Sequence, residues 1–328
     1  MKKLMTTTLL ATTVIAGYVI ADNRRFKLKR QPICISNLPI DFENFKIVQI
    51  SDLHSKGMQG LANAVIEEQA DIVLFTGDMF DTKRETYGNT KPVYDLIDAI
   101  APHYFNRMYW VDGNHGLQAI KRTRGYKGAQ VGRLTTVGEK LKEKGVTILD
   151  QPISVKKGDS EIWLTPDISE KLLNDMTHER EVLKEKEMYY LEDKVAVEQK
   201  KLDRAMCMLK QTDSPIICVN HYPLSTLVTD KEWTKEYHIP YDLQISGHYH
   251  NGQWTPLGCP IFIPRTADDL KGGLFPSKEE ASGLSIVHGI QQYTSAGLGA
   301  STPKGRVLQF RFMNTPILDV LTLKRTLE

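Results

Sequence analysis

The sequence has no two cysteines close enough to act together. Cys34, Cys207, Cys218 and Cys259 are its only four in 328 residues, and none forms a Cys-x-x-Cys pair. That excludes a zinc ribbon and a disulfide-dense scaffold; the spacing leaves room for one disulfide, and buried free thiols fit it better. There is also no excess of charge of either sign: 42 Lys and Arg against 40 Asp and Glu leave +2. With no basic strip interleaved with aromatics, nucleic acid is not expected as a partner. Internal repeats and low-complexity tracts are missing too. What remains is 41% hydrophobic and 25% charged residues, an ordinary globular composition with apolar material for a core and length for one large domain or two.

Long hydrophobic runs are confined to the start of the chain. Leu4 to Ala21 is uncharged and about long enough to span a bilayer, although five threonines dilute it. Lys2, Lys3 and the closing Val19-Ile20-Ala21 suit a cleaved secretory signal. Arg24, Arg25, Lys27, Lys29 and Arg30 suit an uncleaved anchor, which is the preferred reading, with a buried core helix third. Residues 1–30 are therefore expected to be an anchor or signal segment with a basic flank, and the protein to be membrane-associated through it. Two basic residues before the run and five after it favour a cytoplasmic domain by the positive-inside rule, against the secretory reading, so the side stays open.

Five apolar runs downstream end alike. Lys46 to Ile50 leads into Asp52-Leu53-His54, and Asp71 to Thr76 into Gly77-Asp78 with Asp81 three further on. Met108 to Val111 leads into Asp112-Gly113-Asn114-His115, Ile216 to Val219 into Asn220-His221, and Leu243 to Ser246 into Gly247-His248-Tyr249-His250. Each run reads as a strand. Residues two apart on an extended backbone point the same way, so Asp52 pairs with His54 and His248 with His250. In α/β sheets ligands collect outside the carboxyl ends of strands, and these five ends can share one crevice.

Helical spacing fills the gaps: Leu61, Val65 and Ile66 after the first run, Val93, Leu96, Ile97 and Ile100 after the second with Pro92 in the first turn, and Leu134, Val137 and Leu141 before Gly145. Alternating strands and helices imply a parallel or mixed sheet covered by helices. Further strands are expected over Val146 to Leu149, Ile153 to Val155, Glu161 to Leu164, Ile261 to Ile263, Val307 to Phe312 and Ile317 to Leu323, enough for two sheets. Residues 168–211, densely charged and with apolar residues at helical intervals, read as two or three amphipathic helices inserted before the fourth run. They are either a solvated cover on the sheet or a lid or partner-binding arm. Arg265 to Ser282 reads as a flexible loop.

A pair of divalent cations about 4 Å apart needs a shared anionic ligand, neutral nitrogen or oxygen ligands and open positions. Asp52, His54, Asp78, Asn114, His221, His248 and His250 offer that mixture, and imidazole with carboxylate suits Mn, Fe or Zn better than Ca. Taken singly, Asp78 could cap a helix, Asn114 could sit in a turn and His221 could be a satisfied interior histidine. Those accounts do not explain why every candidate follows an apolar strand.

The ordered set Asp52-x-His54, Gly77-Asp78-x-x-Asp81, Gly113-Asn114-His115, Asn220-His221 and Gly247-His248-x-His250 resembles the calcineurin-like metallophosphoesterase superfamily. With Ser295 to Gly299 and the closing strand, the likeness extends over about residues 45–325 and is similar to the bacterial membrane-anchored phosphodiesterase branch. The resemblance implies a four-layer αββα sandwich of two mixed β-sheets flanked by helices, with residues 31–328 as the metallophosphoesterase domain. It implies one divalent metal on Asp52, His54, Asp78 and His250 and a second on Asp78, Asn114, His221 and His248, with Asp78 bridging and manganese among the expected metals. A metal-bridging hydroxide would attack phosphorus, and His115 would be the catalytic residue that stabilises charge or protonates the leaving oxygen. Asp81 stands where purple acid phosphatases carry a tyrosine, so that subgroup is not implied.

One departure matters. Relatives usually follow this histidine with an acid, whereas here it is Gly116, leaving Asp112 as a substitute partner for His115. Tyr249 and Asn251 also differ from the small residues usual there and are expected at the substrate opening. Three functions stay open: a phosphodiesterase or pyrophosphatase acting on a small-molecule or lipid-linked phosphoester; a phosphomonoesterase; and a metal-bound scaffold with little turnover, its 168–211 helices serving as a partner surface.

Overall fold

Short apolar blocks bounded by turn residues make strands covered on both faces. Lys46–Ile50, Ile72–Thr76, Met108–Val111, Ile216–Val219 and Leu243–Ser246 have that composition and form strands in which every residue but Lys46 is buried. The computed structural model describes residues 13–122, 132–224, 241–264, 273–301 and 309–326. In chain order the main elements are α1 (13–22), β1 (Lys27–Ile35), β2 (Lys46–Ile50), α2 (Leu61–Glu67), β3 (Ile72–Thr76), α3 (Tyr87–Tyr104) and β4 (Met108–Val111). There follow β5 (Ile120–Arg122), β6 (Gly132–Leu134), α4 (Thr136–Glu143), β7 (Val146–Ile148), β8 (Ile153–Lys157), β9 (Ser160–Thr165), α5 (Glu170–Glu185) and α6 (Tyr189–Leu209). The remainder are β10 (Ile216–Val219), β11 (Leu243–Ser246), β12 (Phe262–Ile263), β13 (Gly273–Leu274), α7 (Lys278–Ala281), β14 (Gly283–Val287), β15 (Ile290–Thr294) and β16 (Ile317–Arg325).

The strands assemble into two six-stranded sheets, β1-β16-β2-β3-β4-β7 and β14-β15-β11-β10-β9-β8. Both are mixed. In the first, β2, β3, β4 and β7 run parallel and β16 lies antiparallel to β2; in the second, β9, β10, β11 and β15 run parallel with β8 and β14 as antiparallel edges. Alternation along the strands sorts side chains into three apolar layers. Ile47, Ile72, Leu74 and Leu321 of the first sheet meet Leu164, Ile217, Val219 and Ile245 of the second. Val48, Val73, Phe75 and Trp110 face Val65, Val93, Ile97 and Leu141 of the covering helices. Ile216 and Cys218 face Leu172, Met176, Leu202 and Met206 of α5 and α6. The order is helices, sheet, sheet, helices.

The inserted helices α5 and α6 therefore cover the outer face of the second sheet. Other expectations shift. α3 begins at Tyr87, placing Pro92 inside the helix and not in its first turn, because the buried Asn89 side chain fastens the start, donating to the Thr82 and Arg84 carbonyls. Leu134 closes β6 and does not join α4, whose cap is Thr135. The expected Val307–Phe312 strand is not formed over 309–312, which make one bridge, Trp254 to Phe312; 307–308 lie outside the described residues. All four cysteines are free and only Cys218 is buried. Of the Arg265–Ser282 loop, 265–272 lie outside the described residues, and the rest carries β13 and α7, the latter closed by a Ser277–Glu280 capping box.

The boundary after residue 30 falls inside β1, so the basic flank is part of the first sheet, Lys27 to Ile35 pairing with Ile317 to Arg325. Residues 13–22 of the hydrophobic run form α1, with Val14, Ile15, Tyr18 and Ile20 exposed; residues 1–12 lie outside the described residues. Among the described residues no helix is long and apolar enough to cross a membrane.

Candidate metal centre

The carboxyl ends of β2, β3 and β4 in one sheet face those of β10 and β11 in the other, and backbone hydrogen bonds lace the following loops together. Asp52 and His54 donate N–H to the carbonyls of Gly77 and Asp78 at 3.0 and 2.9 Å. Gly247 donates to His221, Ser295 to Ser246, and Leu298 to Ser51. Below them the buried Gln49 amide spans both sheets, donating to Thr76 Oγ1 and the Ser246 carbonyl. At the strand ends the backbone turns sharply: Asp52, His54, Asp78, His248 and His250 all have φ between 48° and 72°. This left-handed region is uncommon for side-chain-bearing residues, with Asp and His among those that tolerate it best, and it clusters at functional sites. Gly77, at φ 91°, cannot be replaced, since a Cβ there would sit 2.4 Å from His221 Nδ1.

Two groups of ligand atoms result. Asp52, His54 and His250 form the first and Asp78, His221 and His248 the second, each with its atoms within 4.8 Å of one another and all six residues buried. In the first, His250 Nε2 lies 3.3 Å from Asp52 Oδ1 and 3.4 Å from His54 Nε2. In the second, His221 Nε2 lies 3.4 Å from Asp78 Oδ2 and 3.1 Å from His248 Nδ1. Asn114 Oδ1 joins it, 2.9 Å from His221 Nε2. Asp78 stands between the groups, its Oδ2 also 3.8 Å from His54 Nε2.

The donor set fits cations by a structural criterion. Asp78 Oδ2 is buried without a hydrogen-bond partner, as are the Nδ1 atoms of His54 and His250. A buried carboxylate oxygen ringed by imidazoles and lacking a donor is satisfied by a metal ion. Electrostatics point the same way. Burial alone would raise the Asp78 carboxyl, but the neighbouring imidazoles, His221 above all with His54 and His115, hold it well below the usual range. Burial likewise opposes the charged form of His221, yet Asp78, Asp52 and the Thr76 carbonyl push it up to about 9. Burial raises Asp52 against the pull of His221, and burial lowers both His54 and His250. The site attracts positive charge, and part of it is desolvated too deeply to take that charge as protons.

His115 lies at the rim. Its backbone N–H donates to Asp78 Oδ1 at 2.7 Å, and its half-buried ring stands edge-on to His54 with centroids 5.5 Å apart. Asp112 is not its partner, because the Asp112 carboxylate accepts from Trp110 Nε1 and from the backbone N–H groups of Ala119 and Ile120, fastening the loop. Nor has Gly116 merely lost a side chain: it sits at φ 74°, and a Cβ would lie 2.1 Å from the Phe80 carbonyl oxygen. Asp81 accepts from Gln309 Nε2 and lies 3.9 Å from His54 Nδ1. Of the two residues expected at the opening, Tyr249 is buried with Ile263 and Ala281, and Asn251 bonds to Asn314 and Ser282.

Residues 45–252, more than half of the chain, match the family described as calcineurin-like phosphoesterase. The chain belongs to that family. Over 329 aligned positions this calcineurin-like phosphoesterase is also 25% identical to YkuE of Bacillus subtilis (strain 168), described as an uncharacterized metallophosphoesterase, with 96% of the chain and 93% of YkuE covered. It is a hydrolase of phosphoric esters, with two clusters suited to divalent metals.

One residue of this calcineurin-like phosphoesterase was not singled out from the sequence. Arg311 is fully buried, and its guanidinium donates to the carbonyls of His250, Ala296, Gly299 and Asn314 and to Asn314 Oδ1. Asn314 Nδ2 reaches the same His250 carbonyl at 2.8 Å. Together they fix the backbone that aims His250. A cation inside an apolar run was the available signal, and its acceptors lie 12 to 61 residues away or in the following turn.

Proposed function

We propose that the chain cleaves phosphodiester or pyrophosphate bonds with two divalent cations, one held by Asp52, His54, Asp78 and His250 and the other by Asp78, Asn114, His221 and His248. The observation that carries this is the orphaned Asp78 Oδ2, buried between both imidazole sets. Bound divalent cations would supply charge neutralisation for phosphoryl oxygens and acidification of a water. Asp78 and Asp52 hold the negative charge that retains them. His115, beside the site and half-buried, stabilises developing charge or delivers a proton to the leaving oxygen. Among the described residues neither candidate carboxylate orients it, because position 116 has no room for a side chain and Asp112 holds Trp110 and the Ala119 backbone. Substrates with good leaving groups are therefore favoured. Membrane association through the N-terminal segment belongs to the same reading, supported by the exposed Val14, Ile15, Tyr18 and Ile20 of α1, and a lipid-linked or small phosphoester is the substrate class.

Aryl phosphodiesters of graded leaving-group pKa, assayed with Mn in wild type and His115→Ala, test the proposal. A steeper dependence in the variant supports proton delivery, and identical slopes exclude it. Cleavage of mono-aryl but not bis-aryl phosphates would make the protein a phosphomonoesterase. A second reading, a metal-bound scaffold with little turnover, is favoured by Gly116; two metals per chain by elemental analysis with silence on every ester would establish it.

A further inference from the structure

A cavity of about 960 Å³ is lined by His54 of the first cluster, by neither His221 nor His248 of the second, and by Val19 and Ile20 of α1. Four cationic residues line it, Arg24, Lys56, Lys83 and Arg84, against the single carboxylate of Asp81. None of the four forms an ion pair among the described residues, and Asp81 is already engaged by Gln309. Burial pulls the Lys56 pKa down to about 8, and with the exposed Arg24, Lys83 and Arg84 it puts more positive charge around the hollow than one carboxylate offsets, which favours an anion. Beside polar groups such as Asn23, Thr82 and Gln309, the hollow has an apolar contribution from Val19, Ile20 and Phe310. Phe310 is stacked on Trp254 with ring centroids 5.3 Å apart, which keeps that wall in place. The helix is held there as well. Asn23 exchanges hydrogen bonds with the Arg311 backbone in both directions, at 2.7 and 2.9 Å, and Asp22 accepts from Thr315.

We propose that this cavity binds the non-reacting part of an amphiphilic phosphoester, its anionic head facing Arg24, Lys56, Lys83 and Arg84 and its aliphatic chain lying along Val19, Ile20 and Phe310. The N-terminal helix is then a wall of the substrate site as well as a tether. The inference deepens the hydrolase reading by assigning residues that hold the non-reacting part of its substrate, and it rests on that reading only for the identity of the reacting group.

Binding of phosphonates, which cannot be hydrolysed at phosphorus, separates the two. The full chain loaded with Mn is titrated calorimetrically with methyl-, butyl- and octylphosphonate, all kept monomeric, and with octyltrimethylammonium as the cationic control. Because an alkyl chain gains affinity only where it leaves water and α1 is half exposed, affinity should rise on the order of tenfold from methyl to octyl. The cationic control should not bind. Ile20→Asp, at an exposed position that leaves the core intact, should flatten the chain-length series, and Lys56→Gln should weaken octylphosphonate several-fold. Equal affinity for the three phosphonates, equal binding of the ammonium, or adsorption to phosphatidylglycerol vesicles without binding of monomeric octylphosphonate would each overturn the proposal. Chain-length-dependent binding in a protein that turns over no ester would instead leave this inference standing and remove the hydrolase reading.

Discussion

Replacing Arg311 by methionine removes a charge that forms no ion pair among the described residues yet ties four carbonyls into one knot. The guanidinium makes five hydrogen bonds, and bonds to a charged donor contribute about 1.5–3 kcal/mol each when acceptors would otherwise be stranded. Burial acts against the charge, pulling its pKa down to about 10 from 12.5, so the variant regains part of the loss by no longer desolvating a cation. Asn314 also still holds the His250 carbonyl. The net destabilisation should be on the order of 3 kcal/mol, a large share of the roughly 5–15 kcal/mol available to a domain. Urea unfolding with metal chelated measures it. The loss should also be uneven at the site: the cation held with His250 should bind about ten- to a hundredfold more weakly, while the one held with His221 and His248 should be little affected. Manganese titration resolves the two. A change below about 1 kcal/mol with both affinities intact would refute the view that this guanidinium organises the site.

Other outcomes follow from single positions. Gly116→Asp, which installs the acid that the family resemblance led one to expect, should destabilise by about 2 kcal/mol or more and should not raise turnover, since the new Cβ would meet the Phe80 carbonyl at 2.1 Å and φ is 74°; a stable, faster variant would contradict the geometry. Burial raises the Asp319 carboxyl to about 6 from 3.8 despite hydrogen bonds from Ser295 and Tyr293. The folded state therefore holds its proton longer than the unfolded one, and stability should fall by up to about 3 kcal/mol as pH rises through the window from about 4 to 6. Urea midpoints across that window, with Asp319→Asn showing a flatter profile, check the sign.

Much of this architecture was legible because each ligand-bearing strand carries its own signal. Lys46–Ile50 and Ile72–Thr76 are apolar blocks followed at once by Asp, His or Gly, and such local patterns need no knowledge of partners. The paired helices α5 and α6 were legible for the same reason, through apolar residues every three or four positions. β1 was not. Only Ile33 and Ile35 on it are fully buried hydrophobics, its basic residues read as the flank of a membrane segment, and its partner β16 is nearly three hundred residues away. Arg311 looked like one charge in a strand because its acceptors come from distant turns. Gly116 was visible as a departure, but the crowding by Phe80 that makes it irreplaceable exists only in three dimensions. The partners of Asp112 were not legible, because nearness to His115 in sequence did not predict that its carboxylate would hold Trp110 and the Ala119 and Ile120 backbone.

The left-handed backbone at Asp52, His54, Asp78, His248 and His250 sets the protein's chemistry against its durability. Each such residue is held in a conformation that glycine would adopt more easily, so glycine at His54 or His250 should ease its turn, whereas at Asp52 or Asp78 it would strand the His248 and His115 backbone N–H groups. Selection for heat resistance alone would drift toward eased, inert turns at the histidines. Persistence of the tense turns would then mark a lineage still under demand for catalysis.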